Sequence, residues 1–374
     1  MVVVNILHMS SGVGESSYAK NSTLQETVIQ KALPFLKHAI MGIANPGVMF
    51  GQCFKIADLG CSSSKNTLLV ASNIIDVVID LCKENNLKTP QLQVCLNDLF
   101  ENDFNNLFKL LPDFYAQLEK KQGAKFGPCF VSAVPGSFYG RLFPDQSLHL
   151  VHSANSVHWL SQVPEGLENN ALNIYIAKTS PPNVFRAYQK QFHTDFTKFL
   201  RSRSEEIVCG GCMILTFLGR GNADPTTDDC GVFWELLAHS LESMLKEGLV
   251  QESDINSFNM PIYTPCEYEV RDVIHSEGSF SLDNLSLFEV NWSPNDTDYT
   301  NIKDLRNEPI QSLGENTAKV VRAVAEPLLT SHFGNSIIDQ VFKKYGERVA
   351  EHLAKKNPRH TMLVVSLTKT TMKK

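Results

Sequence analysis

At 374 residues with a formal net charge of −6, the chain is a poor match for a nucleic-acid backbone, which calls for a basic face. Its 43% hydrophobic and 20% charged content is that of an ordinary globular protein, long enough for one elaborated domain or for two. Nine cysteines without framework spacing fit a reducing compartment better than a disulfide scaffold. No apolar run reaches the length of a membrane span, and the opening MVVVNILHM has neither a basic segment nor a cleavage-like site. The expectation is a cytoplasmic protein with no membrane and no nucleic-acid partner.

In chain order, FKIADLG at 54–60 predicts a strand, and 66–85 predicts a helix from apolar residues at helical spacing. LQVCLND at 92–98 predicts the next strand and 103–121 the next helix. PCFVSAVPGSF at 128–138, LHLVHSANSVHWL at 148–160 and GGCMILTFLGR at 210–220 follow as strand-plus-loop units. Alternation of this kind argues for an α/β fold, a mostly parallel sheet with helices on both faces. From 222 to 352 the pattern becomes mainly helical, with 233–249 and 336–356 the clearest runs, and TMLVVSLTK at 361–369 is β-rich and able to return to the sheet. The acidic, Asn- and Ser-rich stretch 291–312 predicts a surface loop.

The first strand ends in Gly60, Cys61 and three serines. In an open α/β sheet, ligands bind beyond the carboxyl ends of the strands, and small residues let a ligand approach the backbone. The loop has neither the G-x-G-x-x-G pattern nor the Lys-Ser/Thr ending of a phosphate-binding loop. Asp58, just before it, disfavours a phosphate and favours a cation. Asp98 closes the second strand, where a carboxylate suits ribose hydroxyls, although a strand-end Asp more often caps the following helix. An adenosine that carries a positive centre and no phosphate satisfies both positions, and S-adenosylmethionine answers that description.

The segments GESSYAKNS, IADLGCSSSKNT, LNDLFENDFN, VPGSFYGRLFP, HSANSVHWLSQVP and VRAVAEPLL occur in this order. Together they resemble the plant SABATH methyltransferases, which methylate small carboxylic acids or xanthine alkaloids with S-adenosylmethionine, leaving S-adenosylhomocysteine. The resemblance implies a Rossmann-like methyltransferase core at 1–220 and 360–374, a mainly helical substrate cap at 221–359, and a homodimer. It assigns the cofactor to Tyr18, Ser22, Asp58, Asn66, Asp98, Ser137 and Phe138. Two departures stand in the first loop, where Ser64 and Lys65 replace the usual Gly-Pro; Ser64 can follow the same path only with φ below zero. The C-x-x-C of Cys209 and Cys212 has no second pair, and Asn256 replaces an Asp that binds a divalent metal in some relatives, so no metal is expected in catalysis.

For the acceptor, the resemblance implies a carboxylate clamp of Gln25 and Trp159, whose amide and indole N–H groups can each donate to one oxygen. A carboxylate is already ionised at neutral pH and requires no general base. The pocket wall then comprises Asn155, His158, Phe233, Trp234, Val321, Val324 and His360. Without the bulky ring common at position 155 the pocket is larger, which favours a longer aliphatic acid over a flat purine. The leading expectation is methyl-ester formation on a small, jasmonate-like acid. The alternative is xanthine N-methylation, which needs His158 or His360 to accept or polarise a ring proton. A non-catalytic binding protein on the same fold is a third reading.

Overall fold

The computed structural model describes residues 3, 6–43, 50–123, 128–226, 228–292 and 309–370. Seven strands form one sheet: β1 (Cys53–Leu59), β2 (Gln91–Asp98), β3 (Cys129–Pro135), β4 (Leu148–Ala154), β5 (Ile207–Gly219), β6 (Phe280–Asn291) and β7 (Arg359–Lys369). Their order is β3-β2-β1-β4-β5-β7-β6, with β1 to β5 mutually parallel and β7 antiparallel to both of its neighbours. The chain starts in the middle, works outward through β2 and β3, then returns to the other side of β1 to lay down β4. The carboxyl ends of β1 and β4 therefore flank a topological switch point, where such sheets leave a crevice.

Helices α1 (Thr23–Met41), α2 (Asn66–Glu84) and α3 (Phe104–Gln122) belong to the first half, and α4 (Pro182–Glu206) leads into β5. The α2 face that carries Val70, Ile74, Val78 and Leu81 is buried with Ile56, Val94 and Leu96 of the strands. The central strands are apolar almost without interruption because both of their faces are covered. At the start of α3, Asp103 Oδ1 accepts from the Asn106 N–H at 3.0 Å, an N-cap that fixes where the helix begins.

The remaining helices are α5 (Asp228–Lys246), α6 (Glu252–Ser257), α7 (Glu267–Glu277), α8 (Ile310–Phe333) and α9 (Ile338–Leu353); α9 packs between α8 and α5, and α7 packs on α4. The segment 221–359, read from sequence as mainly helical, also gives β6, which pairs with β7 as the sheet edge. Its exposed residues Ser281, Asp283 and Glu289 dilute the apolar signal, as expected of a half-exposed edge strand. In the strand-plus-loop unit read at 148–160, the strand runs to Ala154 and the loop begins at Asn155, which takes the left-handed region (φ 58). Most of the acidic stretch 291–312 lies outside the described residues.

Candidate active site

The chain leaves β1 through Gly60 at φ 73, where a Cβ would fall 2.2 Å from Ser156 Oγ, so glycine alone lets the loop pass beneath β4. The Gly60 and Cys61 N–H groups both donate to the Asn97 carbonyl at 2.9 Å, folding the loop over β2. Ser62 takes the left-handed conformation (φ 53), and its N–H donates to Asp98 Oδ2 at 2.7 Å, while Leu99 N–H donates to Asp98 Oδ1 at 2.7 Å. Asn102 and Asn106 amides hold the Ser62 and Ser63 carbonyls at 3.0 and 2.7 Å. The positive φ thus falls on Ser62 and not on Ser64. Lys65 reaches outward to Glu26 at 3.2 Å and is 69% exposed, which takes its charge away from the crevice.

Asp98 is pushed up to about 6 by burial, against the pull of its two backbone donors. Asp58 is engaged at both oxygens: His152 Nδ1 lies 2.7 Å from Oδ1, and Thr67 Oγ1 donates to Oδ2 at 2.5 Å. Asn66 donates to the Ser22 carbonyl at 3.0 Å, which ties the start of α1 to the start of α2. Burial together with Asp98 and Asp58 drives the Tyr18 phenol well upward, so it stays a neutral hydroxyl.

Three cavities meet at this point. The first runs from Asp98 and Ser62 to Ser137 and Phe138. The second lies beneath the cap, and the third is bounded by Asp58, Ser64, Asn66 and Gln25. About 640 and 920 Å³ of non-atom space, part of it open to solvent, lies within the first two. Tyr18 and Asn155 line all three, Trp159 the first and second, and Gln25 the second and third. Ser22 lines none of them and takes part through its carbonyl alone. Along this crevice and its loop, Ser62 Oγ, Ser63 Oγ, Asn66 Oδ1, Gln25 Oε1 and Asn155 Nδ2 are buried without a partner. An unmet buried polar atom costs about 1–3 kcal/mol, so their concentration here fits residues that close around a polar ligand.

The second cavity is of a different kind. Leu24, Val28, Leu218, Val321 and Val324 give it aliphatic walls, and Phe233, Trp234, His158 and His360 complete it. Leu218 N–H donates to His158 Nδ1 at 3.1 Å, which leaves the ring proton on Nε2. Burial and the neighbouring His360 push His158 down to about 3, and burial pushes His360 down to about 4, so both rings are neutral at physiological pH. His360 stacks on Trp292 at 5.6 Å and meets the edge of Phe233 at 5.0 Å. Trp159 is held by its backbone: Tyr139 OH donates to its carbonyl at 2.5 Å, and it bridges to Ile262. The Trp159 indole and the Gln25 side chain make no hydrogen bond among the described residues.

Of the residues assigned from sequence to the cofactor and the acceptor, all but Ser22 line one or more of these three cavities. The structure adds His152 behind Asp58, Tyr139 behind Trp159, and Trp292 behind His360. His152 and Tyr139 lie inside the quoted motifs, whereas Trp292 had no signal beyond a lone aromatic in a polar stretch. Asn256 Oδ1 accepts from the Leu172 N–H at 2.8 Å, Cys209 is exposed and Cys212 buried on β5, and no group of three His, Cys, Asp or Glu converges among the described residues. No helix among them is long and apolar enough to cross a membrane.

A doubly wound sheet with an acid at the end of β2 and joined cavities at its switch point is the arrangement in which an open α/β sheet holds an adenosine-type cofactor beside a second ligand. A family model described as SAM dependent carboxyl methyltransferase matches residues 4–370, and the chain belongs to that family, the SABATH methyltransferases. It is 45% identical to probable jasmonic acid carboxyl methyltransferase 2 of Theobroma cacao, over 99% of this chain and 100% of that one. It is 44% identical to jasmonate O-methyltransferase of Arabidopsis thaliana, over 98% and 99%. The match to a benzoic acid/salicylic acid carboxyl methyltransferase of Petunia hybrida is 45%, over 99% of each. A solved structure of loganic acid methyltransferase with SAH shares 31% identity and a TM-score of 0.82, covering 97% of this chain and 99% of that one. The chain is an S-adenosylmethionine-dependent carboxyl methyltransferase.

Proposed function

We propose that the acceptor is a small, largely aliphatic carboxylic acid of the jasmonate type. The observation that carries this is the state of His158: its Nδ1 already accepts from Leu218, so it offers the second cavity a donor and no base. A ring N–H acceptor such as xanthine needs a proton removed, which His158 in this state does not do. An acid that arrives ionised needs only donors.

In this reading Gln25 and Trp159 hold one carboxylate oxygen and leave the other free to face the methyl group. Bound S-adenosylmethionine supplies that methyl on a sulfonium. Asp98 accepts from the ribose hydroxyls, Phe138 lies against the adenine face, and Tyr18 with Asn155 walls the junction where the cavities join. Catalysis then consists of positioning two oppositely charged partners and excluding water, with no proton transfer. His158 Nε2–H is a donor for a further oxygen of the acceptor, such as a ketone.

A methyl-transfer assay with labelled S-adenosylmethionine, offering jasmonate, salicylate, benzoate, xanthosine and methylxanthines in parallel, tests the proposal. Turnover of jasmonate above the aromatic acids is expected. Preference for benzoate or salicylate would keep the clamp and overturn the aliphatic assignment. Turnover of a purine alone would overturn both. We carry over from the family resemblance a homodimer and a cytoplasmic location, tested by light scattering and by imaging of a tagged chain.

A further inference from the structure

Arg203, near the end of α4, is among the largest fully buried side chains, and it pairs there with Glu206. Both are 0% exposed, and neither touches any of the three cavities. Arg203 Nε donates to Glu206 Oε2 at 2.7 Å. Its other donors leave the helix: Nη1 goes to the Phe138 carbonyl at 2.8 Å and Nη2 to the Gly140 carbonyl at 2.9 Å. Glu206 Oε1 in turn accepts from the Leu142 N–H at 2.6 Å and the Phe143 N–H at 3.1 Å.

Four backbone groups of one short loop, 138–143, are thus satisfied by one ion pair. A buried pair of charges is not in itself stabilising compared with hydrocarbon, so its presence calls for another account. The loop's own position supplies one. Phe138 walls the first cavity, and its ring meets the edge of Phe199 at 5.8 Å, the ring over which the Arg203 guanidinium sits at 5.4 Å. Gly136, at the loop's start, donates its N–H to the Asp98 carbonyl at 2.8 Å. One residue past Phe138, Tyr139 anchors the Trp159 backbone.

We infer that Arg203 and Glu206 are positioning residues for the cofactor: they preorganise the 138–143 loop so that the adenine wall exists before the ligand arrives. The inference rests on the placement of adenine against Phe138. Arg is suited to the task because its planar fork can meet a carboxylate and two carbonyls together, which a lysine cannot do.

The test compares the wild type, Phe138→Ala, Glu206→Gln and the double variant R203M/E206M, which removes both charges at once and so avoids stranding either. S-adenosylhomocysteine affinity by calorimetry should weaken at least tenfold in the double variant and by less in Glu206→Gln, with a smaller rise in the acceptor KM at saturating cofactor, because Tyr139 of the same loop also braces Trp159. A folded double variant with unchanged affinity would overturn the inference, as would equal losses on cofactor and acceptor sides. If Phe138→Ala alone leaves affinity unchanged, it is the adenine placement that fails. Hydrogen exchange on the wild type gives a check that depends on no variant: the Leu142 and Phe143 amides should be strongly protected without ligand. Exchange there at the rate of an open loop, slowed only by S-adenosylhomocysteine, would also overturn it.

Discussion

Along the crevice, the 60–66 loop and the ends of β2 and β3 set hydroxyls, amides and a carboxylate among apolar side chains such as Leu7, Met9 and Phe138, whereas the second cavity sets two neutral imidazoles among aliphatic side chains and aromatic rings. The first region is fixed by a dense set of backbone-directed hydrogen bonds between the 60–66 loop and the end of β2 with the segment that follows it. The second is assembled from α1, the loop after β4, β5, α5, β6, α8 and β7, and holds shape chiefly by packing. A site that must recognise one invariant cofactor can be held by hydrogen bonds with strict geometry. A pocket whose contents differ between relatives is better built from side chains that exclude water and can be exchanged one at a time.

The most severe break between the regions should come from Trp159→Phe, which keeps the ring and removes the indole N–H. The turnover number should fall by about 10²–10³, as for loss of one preorganised donor, while S-adenosylhomocysteine affinity stays within about threefold. Equal loss of cofactor binding would show that Trp159 belongs to both regions energetically, and the clamp would have to be redrawn.

Acid should separate the regions next, because their titrating groups are shifted in opposite senses. The Asp98 carboxyl is raised to about 6, so in the ligand-free protein its stability contribution is greatest below the ordinary carboxylate range and is lost as pH rises through 6. Ribose recognition uses the anion, so cofactor affinity should run the other way, falling about tenfold per pH unit below 6. Calorimetry at pH 7.5 and 5.0 measures this, and Asp98→Asn should bind weakly and with no such slope. His158 and His360 are lowered to about 3 and 4, so their contribution is present above about 6.5 and lost as the medium is acidified through that window. The melting temperature of His360→Phe should therefore fall less between pH 7.5 and 5.0 than that of wild type. An equal fall would place the acid sensitivity elsewhere.

The smallest effect should follow Lys65→Ala. The Lys65–Glu26 pair is largely exposed and so contributes at most about 1 kcal/mol, and its charge points away from the cofactor loop. Cofactor affinity should change by less than about twofold. A larger gain would mean that Lys65 swings inward and opposes the sulfonium.

The two regions also differ in how far they could be read from sequence. The parallel core was legible because buried strands and amphipathic helices leave strong patterns, and because Asp58, Asp98 and the serine loop sit at strand ends, where ligands bind. β6 was not, since alternate polar residues on a half-exposed edge blur the period. Nor was α4 among the predicted elements: its last turn, Arg201 to Glu206, is a charged run that resembles a solvated face, yet Arg203 and Glu206 are wholly buried. Charge in a sequence gives no sign of whether its partner is water or a loop more than 60 residues earlier. Trp292 was similarly silent, because its role depends on His360, which reaches it from another strand.

The position of β7 has a bearing on how the enzyme comes into being. It is the last of the seven strands along the chain, yet it sits inside the sheet, between β5 and β6. His360, Thr361 and Met362, at its start, line the acceptor cavity. On a ribosome, the cofactor loop and the ends of β1 to β4 can emerge and fold well before β7 is synthesised. The nascent chain would then have most of its cofactor-binding elements before it has a complete acceptor wall, and a message truncated shortly before codon 359 would yield a protein with an open sheet and no enclosed place for an acid.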